Sequence, residues 1–505
     1  MAANNTYSIV EYFGGDDGYR CGYCKNERGN FSHGMWSHTM TVQDYQDLID
    51  RGWRRSGKYV YKPIMKKTCC PQYTIRCHAT KFQPSKSHKK ILKKMNKFIS
   101  KGELLKGPGD EHVEPMDSVC EDAGPREPRL EITKSAITDI QKKVLECPAI
   151  TEVERNEVDV APTGSELPRK DPDSVADSRT ATAPKPGKGS DPNRPPCRKA
   201  KDLRKERRNQ KEQLKHSSVG VSSTLITSPP SHTLTNQPKT LEDFLTEICP
   251  DSSSHCLEVR LVAVSFEDPQ FTASYQQSAA LYARYQMAIH GDGPSECSES
   301  EFRRFLCDSP LEAEYSTDGP EMGYGSFHQQ YWLDGQMVAV GVIDILPTCV
   351  SSVYLYYHPD FASLSLGSYS ALREIAFTRQ LQKQSPKLSH YYLGFYIYSC
   401  PKMRYKGQYR PSDLLCPETY AWVPIEQCLP HLENSRYARF NQNLDEGDAQ
   451  VLKDVGRVLV LHRRTVMPYT VYSRKRKGST DETEVQEYAT LVGQNCAERI
   501  LLYRA

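Results

Sequence analysis

The sequence predicts a mixed α+β protein in three parts: a small cysteine-rich metal-binding domain at the N-terminus, a disordered linker, and a larger C-terminal domain on a mixed sheet. Three observations predict it. Cys21 and Cys24 form a C-x2-C pair, and Cys69 and Cys70 stand side by side further on, enough thiolates for one metal centre. Between 107 and 238 aromatic residues vanish while Pro, Glu, Ser, Thr and Asp dominate. From 239 onward, strand-like runs alternate with helical patterns.

Composition narrows the function classes. The chain has 505 residues, enough for two or three domains, and its 38% apolar content is low for one compact body. A net charge of +3 leaves nucleic-acid affinity to local patches. Its 17 cysteines fall at irregular spacings, as expected of reduced thiols in a cytoplasmic or nuclear protein. The first residues lack the basic and apolar pattern of a signal peptide, and no stretch approaches the roughly 20 apolar residues of a membrane span.

Residues 1–106 form the first unit. Cys21, Cys24, Cys69 and Cys70 complete a four-sulfur site if the fold joins the two turns. Adjacent cysteines suit tetrahedral zinc less well than a second C-x2-C, which keeps an iron–sulfur cluster open. Cys77 and His78 lie close enough in sequence to replace one ligand. A basic helix follows over 86–106, with Ile91, Leu92, Met95, Phe98 and Ile99 at helical spacing and lysines elsewhere.

The linker, 107–238, has too few apolar residues to offset ordering entropy. Two helical islands are expected in it, at 130–145 and 198–215; the second is basic and suits nuclear localisation or RNA contact.

The third unit, 239–472, reads as strand 259–266, helix 271–289, a hairpin over 330–344 turning at Asp334-Gly335, strand 353–358, helix 371–383 and strand 390–398. A tail, 473–505, opens on the basic cluster 474–477 and ends in a short helix.

Several constellations carry possible chemistry. The loop with Ser365, Gly367, Ser368, Tyr369 and Ser370 precedes a helix, where backbone N–H groups attract phosphate. Along the last strand, alternation places Tyr392, Gly394, Tyr396 and Tyr398 on one face, as a cleft wall, and Tyr391, Leu393, Phe395 and Ile397 on the core face. Lys402, Arg404 and Lys406 then form a cationic turn suited to carboxylate or phosphate. His328 is a candidate general base with Asp344 to orient it. P-loop, GxSxG and HExxH motifs are absent, so a group-transferring enzyme of this sequence receives its group already activated.

These residues converge on one family. The two cysteine pairs, the basic turn 85–90, the block SFHQQYWLDGQMVAVGVIDILP and the block YLGFYIYSCPKMRYKGQYRPSDLLCPETY resemble the arginyl-tRNA–protein transferases of the N-degron pathway. The resemblance covers 1–106 and roughly 239–470. It implies transfer of arginine from arginyl-tRNA to proteins beginning with Asp, Glu or oxidised Cys, which marks them for ubiquitin-dependent degradation. It also implies a GNAT-like acyltransferase fold in the C-terminal domain and a metal-binding N-terminal domain. Cys21, Cys24, Cys69 and Cys70 would hold an iron–sulfur cluster, with zinc as the alternative.

On this reading ATP is not needed, and the loop 363–369 departs from the family fold's Q/R-x-x-G-x-G/A pyrophosphate motif, which argues against CoA. Ser365, Gly367, Ser368, Tyr369, Ser370, Tyr392 and Tyr398 would bind the donor; His328, Asp344 and Tyr396 would serve catalysis. Lys402, Arg404 and Lys406 would bind the acidic acceptor, and Lys86, Lys89, Lys90, Lys93, Lys94 and Lys97 the tRNA phosphates. An acyl-CoA-dependent N-acetyltransferase and an RNA-binding adaptor without transfer activity are the rival readings.

Overall fold

The computed structural model describes residues 7–15, 17–103, 239–247, 253–476 and 481–505. Most of the expected linker, with its helical islands at 130–145 and 198–215, lies outside the described residues.

Two mixed sheets organise the chain. The first contains β1 (Ile9–Gly15), β2 (Ser32–Thr39), β3 (Arg54–Ser56), β4 (Tyr59–Pro63), β13 (Leu459–His462), β14 (Thr465–Pro468) and β15 (Leu501–Arg504), in the order β14-β13-β15-β1-β2-β4-β3. The second contains β5 (Tyr73–His78), β6 (Leu257–Ala263), β7 (Gly325–Leu333), β8 (Gln336–Ile345), β9 (Cys349–Tyr357), β10 (His390–Tyr396), β11 (Ser412–Leu415) and β12 (Trp422–Pro424), in the order β12-β11-β5-β10-β9-β8-β7-β6.

The β7–β8 hairpin turns at Asp334 and Gly335, both at positive φ (51° and 79°), the geometry a two-residue type I′ turn requires. β9 and β10 are parallel neighbours, so a crossover must join them, and helix α5 supplies it. Helices are numbered α1 (Val42–Ile49), α2 (Lys86–Lys101), α3 (Leu241–Thr246), α4 (Pro269–Tyr285), α5 (Leu366–Gln382), α6 (Ile425–Asn434), α7 (Tyr469–Lys475) and α8 (Glu482–Val492). Among the described residues no helix is long and apolar enough to cross a membrane.

Helix α2 is the expected basic helix, ending at Lys101 rather than 106. Ser85 caps its N-terminus, His88 takes the reciprocal capping-box position, and Gly102 stops it in the left-handed region at φ 68°. Its apolar stripe, Leu92, Met95, Phe98 and Ile99, is buried.

Three expectations change. The 1–106 unit is not a separate body: β5 lies inside the second sheet, between β10 and β11, because Thr74, Arg76 and Cys77 find their backbone partners there. The 473–505 segment is not an appendage, since β15 sits between β13 and β1 and runs parallel to both. Residues 366–370 are not a loop. Helix α5 begins at Leu366, after Ser365 at φ 57°, because Leu366, Tyr369 and Leu372 form a buried stripe that continues the helix backward.

Candidate functional site

The candidate metal site is built from two turns stapled together. Lys25, at φ 64°, closes the first turn by donating its N–H to the Cys21 carbonyl at 2.9 Å. The Asn30 side-chain oxygen accepts from Thr68 Oγ1 at 3.0 Å and Gln72 Nε2 at 2.9 Å, which fixes the second turn against the first. Gly29 is required at the junction: a Cβ there would lie 2.6 Å from Cys69 Sγ.

The sulfur atoms of Cys21, Cys24, Cys69 and Cys70 all lie within 4.8 Å of one another. Zn–S bonds of about 2.3 Å in a tetrahedron set sulfur–sulfur edges of about 3.8 Å, so the four thiols fit one metal ion. A hydrogen bond from the Cys70 thiol, with further ones from the Cys24 and Tyr23 backbone, outweighs burial and pulls Cys21 down to about 5. Cys77 and His78 are not part of this group. They lie at the far end of β5, Cys77 in the core and His78 with Nε2 2.8 Å from Asp413 Oδ2.

This centre is joined to β10. Cys70 leads within three residues into β5, where Tyr73 pairs with Tyr396. Cys21 and Cys70 pack with Tyr61, Phe395, Ile397 and Met403, and Ser399 hydrogen-bonds Cys70.

Strand β10 differs from the alternation expected of it. Gly394 sits at φ 68°, and the register slips between Tyr392 and Phe395. Tyr392 opposes Arg76 and Phe395 opposes Thr74, so these two share a face; Tyr391 opposes Cys77 and Tyr396 opposes Tyr73 on the other. Tyr392 and Tyr396 therefore point to opposite sides. A bulge inserts one unpaired residue and reverses the parity of everything after it.

On the Tyr392 side lies a buried polar layer. Tyr392 donates to Asp50 Oδ1 at 2.6 Å, and burial raises the Asp50 pKa. Arg76 stacks 4.2 Å over Trp422 and donates to Asp413 at 3.0 Å. Arg54 lies 5.2 Å over Phe395, with Nη1 donating to the Trp53 carbonyl at 2.8 Å. On the opposite side Tyr391 donates to Glu374 of α5 at 2.6 Å; burial pushes this carboxyl up to about 7, against the pull of the Tyr391 and Ser352 hydrogen bonds.

The parallel pairing of β9 and β10 covers three positions, from His390–Cys349 to Tyr392–Ser351. Beyond it the C-terminal ends of the two strands are not paired with each other, a place where open sheets receive ligands.

Other predicted residues fall as follows. Gly367, Ser368, Tyr369 and Ser370 are buried in the first turns of α5, and Ser370 Oγ donates to the Gly367 carbonyl at 3.0 Å, so no open phosphate cradle forms; Ser365 is half-buried. Lys402 and Arg404 are exposed, Arg404 lying 5.5 Å over Tyr398, whereas Lys406 is buried. Tyr396 is buried, and burial pushes it up to about 12.

His328 is fully buried, its Nε2 3.2 Å from the Leu306 carbonyl, and burial lowers it to about 4. Asp344 is held by Arg55, and β8 lies two strands from β10, so these two residues are not brought to the β10 end. In α2, Lys86, Lys90 and Lys93 are exposed, while Lys89, Lys94 and Lys97 are half-buried; Lys94 donates to the Ser363 carbonyl at 2.6 Å and Lys97 pairs with Glu103 at 2.7 Å.

Sequence reasoning missed Asp50, Arg54, Lys62 and Glu374. Each gains its setting only when α1–β4 packs on the second sheet or α5 on β10, and no local pattern marks them.

The chain matches the family models of the arginine-tRNA-protein transferase N terminus over residues 19–90, and of its C terminus over 277–416. The first span holds both cysteine pairs and the start of α2; the second runs from α4 through β11. Arginyl-tRNA–protein transferase 1 of Drosophila melanogaster is 40% identical across 98% of this chain and 99% of its own. Arginyl-tRNA–protein transferase 2 of Arabidopsis thaliana is 38% identical across 83% of this chain and 75% of its own. An aspartate/glutamate leucyltransferase of Pseudomonas syringae is 36% identical over 32% of this chain and 60% of its own. The chain belongs to the arginyl-tRNA–protein transferase family.

Proposed function

We propose that this protein transfers arginine from arginyl-tRNA to the α-amino group of proteins that begin with Asp, Glu or oxidised Cys, producing substrates for ubiquitin-dependent degradation in the cytoplasm and nucleus. The observation that carries this reading is near full-length similarity to a relative of that name. The β9–α5–β10 crossover on a mixed sheet supports a GNAT-like acyltransferase architecture, with the reaction at the unpaired ends of β9 and β10.

The ester of an aminoacyl-tRNA is already activated, so neither ATP nor CoA is needed. An α-amine with a pKa of about 7.7–8.0 is partly neutral at pH 7 and attacks the ester carbonyl. The protein then contributes chiefly positioning and stabilisation of the tetrahedral oxyanion. The exposed Lys86, Lys90 and Lys93 of α2 contact tRNA phosphates, and Lys402 and Arg404 attract the acidic acceptor to the mouth of the site. Four thiols around one point favour a single ion such as zinc over a cluster, whose irons would spread the sulfurs apart. That ion would tie the 19–30 and 64–72 turns to the end of β10.

The test is transfer of labelled arginine from arginyl-tRNA to peptides beginning with Asp, Glu or Ala. Labelling of the first two alone supports the proposal; tRNA binding without transfer refutes it.

A further inference from the structure

Beside the β10 bulge lies a small, partly open cleft between β4, the start of β5 and the turn after β11. Its polar lining includes Arg51, Lys62, Gln72, Thr74 and Tyr420. The charges in it are unequally satisfied. Arg51 is spent on Asp448, with Nη1 2.9 Å from Oδ1 and Nη2 2.6 Å from Oδ2. Lys62, only 9% exposed, forms no ion pair among the described residues; Asp448, committed to Arg51, reaches it only through space. Its Nζ donates to the Tyr420 hydroxyl at 2.7 Å and lies 4.3 Å over the same ring. Thr74 is 2% exposed, and its Oγ1 has no hydrogen-bond partner among the described residues.

An amine stripped of water, with no carboxylate in direct contact among the described residues, is costly to keep charged. Burial, with the nearby Arg51 guanidinium adding to it, lowers the Lys62 pKa well below that of an ordinary lysine, against the weaker pull of Asp448. A ligand carboxylate would supply the missing counter-charge and an acceptor for the idle Thr74 hydroxyl.

We propose that this cleft receives the side-chain carboxylate of the acceptor's first residue, and that Lys62 is the residue that selects it. The inference rests on the transfer reading above and adds the selectivity element. Lys402 and Arg404 are poor candidates for that task, because exposed cations are screened and draw in any acidic surface. An enclosed amine discriminates: an Asn or Gln side chain fills the same space but leaves Lys62 without its anion.

Position agrees with this role. Thr74 is directly opposite Phe395 at the bulge, so the cleft flanks the strand that leads to the transfer site. Pro63, Met65 and Gln72, which also line it, bracket the turn carrying Cys69 and Cys70. The segment closed by the metal is therefore a wall of the cleft.

The experiment is competition between Asp-, Glu-, Asn- and Gln-initiated peptides for labelled arginine, in the full chain and in Lys62→Met. Selective transfer by the unmodified chain tests the proposed function itself; its absence would refute that reading and this inference with it. Given that selectivity, Lys62→Met is expected to lose about a hundredfold or more in kcat/KM on Asp and Glu peptides, while thermal midpoint and arginyl-tRNA binding stay near the unmodified values. An undiminished preference for Asp over Asn in Lys62→Met overturns the inference and leaves the transfer reading standing. If that variant does not fold, Tyr420→Phe, which frees Nζ from its hydroxyl partner, is read instead. A change in KM confined to Asp and Glu peptides then supports the role, and an unchanged KM overturns it.

Discussion

Arg55 and Asp344 form a buried, two-pronged ion pair: Nη2 lies 2.6 Å from Oδ1 and Nε 2.8 Å from Oδ2. Ser326 adds a third hydrogen bond, to Oδ1 at 2.7 Å. The pair bolts β3 of the first sheet to β8 of the second, and leaves Asp344 no freedom to orient a catalytic histidine. Breaking one side strands a buried charge, so Arg55→Met should cost about 3–5 kcal/mol of stability. Replacing both partners with apolar residues should recover much of that loss. Denaturant midpoints across the double-mutant cycle check it; additive losses would show that the pair is not coupled.

The cysteine group should bind one equivalent of metal. Cys24→Ser and Cys70→Ser are expected to lower both the bound metal, read by elemental mass spectrometry, and the thermal midpoint, because metal binding and local folding are linked. Gly29→Ala should act in the same direction, since its Cβ would crowd Cys69 Sγ. Cys77→Ser, in the core of β5, should leave metal content unchanged.

Glu374 makes stability depend on pH. Its folded pKa, about 7, lies above that of an unfolded glutamate, so the protonated form favours the folded state. The contribution is complete below the unfolded pKa of about 4.3 and is lost as pH rises through 7. Relative to Glu374→Gln, the unmodified chain should lose on the order of 3 kcal/mol between pH 4.5 and 7.5. Chemical denaturation of both proteins at the two pH values reads this directly; parallel curves would contradict a raised pKa.

Lysines on α2 should divide by exposure. Lys86→Ala, Lys90→Ala and Lys93→Ala should each weaken tRNA binding and shallow the slope of log affinity against log salt by somewhat less than one. Lys94→Ala removes the hydrogen bond to the Ser363 carbonyl, so its effect should include a lower thermal midpoint. Salt titrations of tRNA binding, beside melting curves, separate the two kinds of lysine.

Much of the local structure was legible in the residues. Asp334-Gly335 dictated a tight hairpin because both positions accept positive φ, and the Leu92–Met95–Phe98–Ile99 stripe dictated one buried face of α2. The cysteine pairs marked a candidate metal site, four thiols that the fold brings together, because thiolates in close sequence can share one ion. What the sequence alone could not determine was non-local. The Gly394 bulge reversed the faces of Tyr392 and Tyr396, since a one-residue insertion in a period-2 strand has no signature in the alternation itself. The placement of β5 inside the second sheet, and of β15 inside the first, depends on backbone partners hundreds of residues away. Tertiary packing alone decided that Lys62 would be enclosed without an ion pair among the described residues and that Glu374 would be buried beside Tyr391, because the energy of a charge is set by the neighbours and water around it.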